Sequence, residues 1–412
     1  MRNEIIKILE EMGVVFSPKN KTANRSLGQY VHDDYALYVQ IKKGKAENQI
    51  LVDSHLDHPG FVIGPKNSAL ALGSVGWNRI KNLLNEDIPM PIKVFDFEGN
   101  YFGTSKITNE ISANKPFYQL ADEKPLPING HAIWDVNLYE ENDSQVEMYS
   151  ADNMIVTCVM LSLIENLMSN AQDFDDVNIV FAFTYLEEIF EVSASAIANR
   201  ASTPFGKITQ DTIIFVLESM QCTPLLESEI ANFKDIEAWE NFRVEHDDLI
   251  YSPADRESAY ANKKLHPLYS ELDLPAPNHE DGILIKINDV DGIYGMHFGD
   301  SENLAEHFLV STLDQQKKEY QLTLSGGACN GTAYSIFPLT SHIATIVVPN
   351  KYKHNMDHSG HVVSEVVKIE DVNNVFEALL GILKKDNFEH PEAPTLSKVL
   401  KNKIKADKSI TK

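Results

Sequence analysis

Two kinds of hydrophobic pattern alternate along the chain. Short runs that are apolar at nearly every position occur at NQILVDSHLD, VNIVFAFTYLEE, DTIIFVLES and ATIVVPN. Such runs are typical of strands that are buried on both faces of a parallel sheet. Helical patterns lie between them: MIVTCVMLSLIENLM is apolar on nearly every face, and VSEVVKIEDVNNVFEALLGILKK is amphipathic. The alternation predicts an α/β fold with a mixed, mostly parallel sheet between layers of helices.

The pattern changes between Gly60 and about Met148. Short segments such as GFVIG, IPMPIKVFD and HAIWDVNLY are separated by Gly, Pro and Asn, and helical periodicity is weak. This predicts a small inserted β-barrel domain at residues 61–148, within a main domain formed by residues 1–60 and 149–390. A chain of 412 residues is long enough for such a division. We expect a long surface excursion at residues 221–280 and a flexible Lys-rich tail at 391–412.

Composition restricts the classes of partner and the location. A formal charge of −24 argues against nucleic acid and anionic membranes as the main partners. The first residues, MRNEIIKILEEMG, have the pattern of an amphipathic helix without a cleavage site, so they do not resemble a signal peptide. The longest apolar stretches are interrupted before the ~18 residues that a bilayer requires. We therefore predict a cytoplasmic protein with no membrane partner.

Acidic residues and histidines follow the predicted buried strands. Because ligands bind outside the carboxyl ends of parallel strands, side chains at these positions converge in α/β folds. Histidine and carboxylate groups are ligands for divalent metal ions. The sequence therefore predicts one metal site that contains His55, Asp152, Glu187, Glu188, Glu218 and His354.

Each of these motifs has an ordinary structural explanation when it is taken alone. His55 and Asp57, two apart on a strand, point the same way, so one can bind a metal while the other orients it, but most such pairs are not metal sites. Asp152 precedes a buried helix, where it could be an N-cap or could bridge two cations. Glu187 and Glu188 could form a solvated turn, or one could bind metal while the other accepts a proton from water. The shared location of the motifs favours the functional explanation.

Two further segments are weaker candidates. KYKHNMDHSGH contains three histidines, of which His354 follows a strand as the other candidates do, and His358 is the reserve. SGGACNGTA is glycine-rich but lacks the ending of a phosphate-binding P-loop, so a tight turn is the favoured interpretation. We assign no role to Cys329 in this segment.

The order of the motifs resembles that of the co-catalytic di-zinc aminopeptidases of the tetrahedral-aminopeptidase and glutamyl-aminopeptidase type, some of which are described as cellulase-like. The shared order is H-x-D, Asp before a helix, Glu-Glu, a strand-end acid and a late His, and it covers most of residues 30–385. The resemblance implies a zinc-exopeptidase-like fold and also accounts for the β-rich insert. The chain departs from the family at Glu218, where Asp is usual, at His58, where an acid is usual, and in KHNMD, which lacks the usual His-Ser-Pro.

The resemblance also implies a role for each residue. One zinc would be held by His55 and Glu218, the other by Glu188 and His354, with Asp152 bridging them. Glu187 would be the general base and Asp57 would support His55. The resemblance further implies a cis peptide bond after Asp152.

The predicted function is a metal-dependent exopeptidase that removes N-terminal residues from peptides, with two divalent ions as cofactors. Zinc is the first choice and cobalt or manganese are alternatives, because all three accept His and carboxylate ligands. Two other functions stay open: an amidohydrolase, deacylase or carboxypeptidase with the same site, and a metal-binding scaffold without turnover. We expect a peptide substrate and a homo-oligomer.

Overall fold

The computed structural model describes most of both predicted domains. The residues described are 1–17, 27–44, 49–73, 80, 84, 90–112, 116–122, 124–174, 177–222, 279, 281–288, 303–324, 328–337, 339–356 and 361–383. Nearly all of the predicted excursion at 221–280, the tail at 391–412 and His358 lie outside these residues.

A large mixed sheet forms the centre of the main domain. Its strand order is β1-β2-β3-β13-β4-β16-β19-β20-β12-β11, and β17 pairs with both β18 and β19. The neighbouring strands β13, β4, β16 and β19 are parallel to one another. The described strands of this sheet are β1 Val15–Phe16, β2 Gly28–His32, β3 Ala36–Lys43, β4 Ile50–His55, β11 Tyr139–Glu141, β12 Gln145–Met148, β13 Val177–Thr184, β16 Ile213–Gln221, β17 Ile283–Asn288, β18 Tyr320–Leu324, β19 Ile343–Lys351 and β20 Glu365–Lys368.

Helices cover both faces of this sheet. Residues of α1, α2, α4 and α6 pack in one hydrophobic core, and residues of α3 and α5 pack in another on the opposite face. Two short 3₁₀ helices span Ala171–Asp173 and Lys353–Asn355. The described α-helices are α1 Arg2–Glu11, α2 Ala151–Ser169, α3 Val192–Arg200, α4 Leu304–Gln316, α5 Asn330–Ile336 and α6 Ile369–Leu383.

The continuous apolar runs are explained by burial of the strands on both faces. In β13, Phe181 and Phe183 point into the core that contains α2, whereas Val180 and Ala182 point into the core that contains α3. The helix α2 is apolar enough and long enough to cross a membrane, but 61% of its apolar window is buried inside the protein, as in a core helix of a globular domain. The strands and α2 thus form the interior of the main domain.

Six antiparallel strands close into a barrel with a separate core. Their order is β10-β5-β6-β9-β8-β7, and Phe61, Tyr118 and Trp134 are buried inside. The predicted fold class, a mixed α/β sheet between helices with an inserted small β-barrel, is confirmed. The strands β11 and β12 follow the barrel and join the large sheet through β20. The remaining strands are β5 Gly60–Gly64, β6 Ser68–Leu72, β7 Met90–Phe95, β8 Tyr101–Glu110, β9 Phe117–Leu120, β10 His131–Trp134, and a separate pair, β14 Ser202–Thr203 and β15 Gly206–Lys207.

Candidate metal centre

The carboxyl ends of four adjacent parallel strands create the candidate site. His55 ends β4, Glu218 lies near the end of β16, and Glu187 and Glu188 follow β13. His354 lies in the 3₁₀ helix after β19, and Asp152 lies in the first turn of α2. The structure therefore brings together all seven residues that the sequence singled out, including Asp57.

His55 and Glu218 lie on one side of Asp152. The Nε2 atom of His55 is 3.3 Å from Oδ1 of Asp152 and 3.4 Å from Oε1 of Glu218. All three side chains are almost completely buried. Burial opposes the protonated form of His55, but Glu187 and Glu218 hold its pKa well above the ordinary value. These atoms are close enough to share a cation.

His354 and Glu188 lie on the other side of Asp152. The Nε2 atom of His354 is 3.1 Å from Oε1 of Glu188 and 3.4 Å from Oδ2 of Asp152. Burial opposes protonation of His354, but Glu188 and Asp152 raise its pKa to about 10. The two oxygens of Asp152 thus face different histidines, as a bridging carboxylate requires.

The side chains fit divalent ions in their chemistry and in their unmet interactions. Both carboxylate oxygens of Asp152 and Oε2 of Glu218 are buried without a hydrogen bond of ordinary geometry, although the ammonium nitrogen of Lys353 lies 2.9 Å from Oδ2 of Asp152. Ligand atoms within 4.8 Å of one another are offered by the sets His55, Glu187, Glu218 and His55, Asp152, Glu188. Because buried carboxylates are destabilising where their charge is only partly offset, cations at these positions would stabilise the fold.

Glu187 is placed as a proton acceptor beside these ligands. Its side chain is 7% exposed, and its Oε2 atom lies 3.7 Å from Nε2 of His55. Burial raises the pKa of Glu187 well above the usual range, and the nearby Glu218 and Glu188 carboxylates act in the same direction. A buried carboxyl group with a raised pKa is suited to general acid-base chemistry near neutral pH.

Asp57 orients two parts of the site. Its backbone oxygen lies 3.1 Å from Nδ1 of His55, closer than its carboxylate, which lies 3.5 Å away. The carboxylate oxygens each accept a hydrogen bond of 3.0 Å, one from the backbone N–H of Glu187 and one from that of Glu188. Asp57 therefore fixes the Glu-Glu turn as well as the ring of His55.

Glu365 is a further supporting residue, which the sequence did not reveal. Its two carboxylate oxygens accept hydrogen bonds from the backbone N–H groups of Asp152, at 2.7 Å, and His354, at 2.6 Å. Burial and the Asp152 charge raise the pKa of Glu365 to about 8. Glu365 joins the two elements that carry the bridging acid and the late histidine. Its only sequence signal is an acid at the start of the apolar strand β20.

His58, left unassigned by the sequence, supports the same region. Its Nδ1 atom contacts the backbone oxygen of Asp152, and its Nε2 atom lies 3.1 Å from Oδ1 of Asn355. Its ring packs edge-on against Tyr149 at 4.6 Å. Burial lowers the pKa of His58. The peptide bond between Asp152 and Asn153 is cis, which confirms that expectation.

Asp53, two residues before His55, is the centre of a buried hydrogen-bond network. Its carboxylate accepts hydrogen bonds from Tyr334 Oη at 2.5 Å, from Asn330 Nδ2 at 2.7 Å and from Thr184 Oγ1 at 3.3 Å. An acid in the middle of the apolar run ILVDSH was the available sequence signal. The network ties β4 to α5, so this short helix supports the strand that carries His55. Cys329, the N-cap of α5, is buried there.

Comparisons with known proteins find relatives in structure only. No protein-family model matches the sequence, and no curated protein matches it. An aminopeptidase from the archaeon Desulfurococcus kamchatkensis superimposes with a TM-score of 0.60 at 14% identity, covering 95% of this chain and 92% of that chain. The chain therefore has the fold of this aminopeptidase.

Two other solved structures extend this similarity. The TET1 peptidase of Pyrococcus horikoshii, which can assemble into a tetrahedron or a large octahedral shell, matches with a TM-score of 0.57 at 16% identity and 93% coverage of both chains. An endoglucanase from Thermotoga maritima matches with a TM-score of 0.52 at 15% identity, over 94% of this chain and 92% of that chain. The family resemblance in the sequence is thus confirmed at the level of the fold.

Proposed function

We propose that the protein is a metal-dependent aminopeptidase that hydrolyses the first peptide bond of peptides with a free N-terminus. The observation that carries the proposal is the buried carboxylate of Asp152, whose two oxygens face His55 and His354 on opposite sides. The structural relatives are aminopeptidases in several cases, which supports the choice of substrate.

Each ligand has a proposed place. His55 and Glu218 would hold one divalent ion, Glu188 and His354 would hold the other, and Asp152 would bridge them. Zinc is the first choice for both, with cobalt or manganese as alternatives. Bound there, the ions supply the Lewis acidity that activates water and polarises the amide carbonyl.

Glu187 performs the proton transfers in this proposal. Its carboxylate takes a proton from the water whose oxygen attacks the carbonyl carbon. It then gives that proton to the amine that leaves when the C–N bond breaks. Asp57 holds the backbone of Glu187 in place through the hydrogen bond described above.

The test is replacement of Glu187 by Gln, which retains the size of the side chain. Turnover of an aminoacyl substrate should fall by roughly 10²- to 10⁴-fold, while the metal content stays unchanged. Glu165→Gln, on an exposed part of α2, is the matched control and should keep full activity. Full activity in a metal-loaded Glu187→Gln variant would refute the role of this residue.

A substrate panel tests the class of reaction. Peptides with a free N-terminus, peptides with an acylated N-terminus and peptides with a blocked C-terminus should be compared with the same enzyme sample. We expect cleavage to require the free N-terminus and to tolerate the blocked C-terminus. Cleavage of N-acylated substrates, or dependence on a free C-terminus, would instead support a deacylase or a carboxypeptidase.

We further propose that the protein is a homo-oligomer. The Pyrococcus relative assembles into closed shells, and the β7–β8 hairpin of the barrel exposes 78% of Phe97, 60% of Tyr101 and 54% of Phe102. Exposed apolar side chains grouped on one hairpin are typical of interaction surfaces. Light scattering coupled to size-exclusion chromatography would give the mass, and a mass of one chain at micromolar concentration would contradict the proposal.

A further inference from the structure

A lysine side chain enters the candidate metal centre. Lys353 Nζ lies 2.9 Å from Oδ2 of Asp152 and 3.7 Å from Oε1 of Glu218, with 16% of its side chain exposed. It therefore contacts the proposed bridging acid and a proposed ligand of one ion. The roles derived above for the ligands and the base make no use of this ammonium group.

The backbone around Lys353 holds the side chain in this place. Tyr352, His354 and Asn355 all have positive φ angles, of 64°, 61° and 62°. Such conformations cost on the order of 1–3 kcal/mol each and persist only where surrounding contacts impose them. The Lys353 N–H donates to Oε1 of Gln221 at 2.8 Å, and the following N–H donates to Glu365.

Lys353 is charged in this environment. A lysine is ordinarily protonated at neutral pH, and here its ammonium nitrogen lies 2.9 Å from a carboxylate oxygen of Asp152 and 3.7 Å from one of Glu218. A protonated lysine has three donors and no lone pair, so it cannot be a metal ligand. In this position it offsets charge on the carboxylates that a metal ion would otherwise neutralise.

This inference rests on the proposed function. We propose that Lys353 is a built-in cation that lowers the affinity of the centre for its second divalent ion, the one that Glu188 and His354 would hold. One ion then binds tightly, while the second position fills only when free metal is plentiful. The ammonium is closest to Oδ2 of Asp152, at 2.9 Å, and this oxygen faces His354, so the ion held by Glu188 and His354 would need it. The contact with Glu218, on the side of the other ion, is longer, at 3.7 Å. Like charges a few ångströms apart repel strongly where water is excluded.

The alternative is that Lys353 acts on the substrate, for example on the carbonyl oxygen, without influence on the metal ions. The contacts favour the first role, since the ammonium group lies against Asp152 and Glu218, which are both proposed metal ligands. The two roles give different results when metal content is measured without any substrate.

The experiment measures metal content in three variants and the unmodified protein. Each is loaded with excess zinc, dialysed against metal-free buffer and analysed for zinc per chain. We expect about one ion in the unmodified protein and in Lys353→Arg, which keeps the charge, and about two in Lys353→Met. Calorimetric titration should show the second zinc binding at least about tenfold more tightly in Lys353→Met. Lys106→Met, an exposed position on the barrel, is the remote control and should match the unmodified protein.

The outcomes separate this inference from the proposed function. Equal zinc content in the unmodified protein and Lys353→Met overturns the inference, whether or not peptides are cleaved. If the unmodified protein holds about one zinc ion and Lys353→Met holds about two, but neither cleaves any peptide, the inference is supported and the proposed aminopeptidase activity is refuted. Circular dichroism of the zinc-free variants checks the fold. If Lys353→Met is unfolded, titration of Lys353→Gln decides, and an unchanged second affinity there also overturns the inference.

Discussion

Replacing the buried Asp53 with Asn should make the free energy of unfolding less dependent on pH. Burial raises the pKa of Asp53 from 3.8 to about 6, although hydrogen bonds from Tyr334, Asn330 and Thr184 oppose the rise. The folded protein therefore favours the protonated acid. The favourable contribution of protonated Asp53 to the free energy of unfolding is fully present below pH 3.8, is lost as the pH rises to about 6, and stays lost at higher pH.

The size of the effect follows from the two pKa values. Each pKa unit corresponds to about 1.4 kcal/mol, so the ionised Asp53 destabilises the fold by about 3 kcal/mol above pH 7. Most of this loss occurs above pH 4.5. The difference in unfolding free energy between Asp53→Asn and the unmodified protein should therefore shift by about 2 kcal/mol in favour of the variant between pH 4.5 and 7.

Urea unfolding of the chelator-treated proteins, followed by circular dichroism, measures this difference at a series of pH values. Tyr334→Phe is the companion variant, because it removes a hydrogen bond that favours the ionised acid. The loss of unfolding free energy caused by Tyr334→Phe should grow with pH when Asp53 is present. The same loss should not depend on pH when Tyr334→Phe is combined with Asp53→Asn. A difference between Asp53→Asn and the unmodified protein that is constant from pH 4.5 to 7 would refute the reasoning.

Three further predictions concern the site and the core. Glu365→Gln replaces one accepting oxygen with an NH2 group, which cannot accept the hydrogen bond from the backbone N–H of Asp152 or His354. Zinc affinity measured by calorimetry should therefore fall about 10- to 100-fold; an unchanged affinity would show that these hydrogen bonds do not position the ligands. Chelation should lower the melting temperature measured by scanning calorimetry, since metal binding stabilises only the folded state; an unchanged temperature after complete removal would contradict a buried metal site. Phe181→Ala, in the core, should destabilise the protein by about 3–5 kcal/mol, whereas Phe190→Ala, 88% exposed, should change stability by less than about 0.5 kcal/mol; equal effects in urea unfolding would contradict the assigned cores.

The sequence was informative about the site because strand ends are marked by abrupt changes of polarity. His55, Glu187 and Glu218 each interrupt or follow a strongly apolar run, and the order of these strands in a parallel sheet brings their ends together. The predicted barrel was found for a similar reason, since Gly, Pro and Asn separate its short strands.

The supporting residues could not be found in the same way. Glu365 acts through two backbone N–H groups that are 213 and 11 residues away in sequence, so only the folded chain brings them together. Lys353 is an ordinary lysine in a segment with several other charges, and its burial depends on the left-handed backbone around it. Burial and backbone conformation at these positions are set by tertiary contacts rather than by local pattern.

The separation of the ligands along the chain has a consequence for the order of folding. His55 and Glu218 are 163 residues apart, and Glu188 and His354 are 166 apart, so neither half of the site exists in a local segment. A metal ion therefore cannot be bound by one local segment of the chain, because the proposed ligands meet only when strands far apart in sequence have paired. The sheet must close while its edge gathers four carboxylates, and Lys353 is then a counterion that the chain itself delivers.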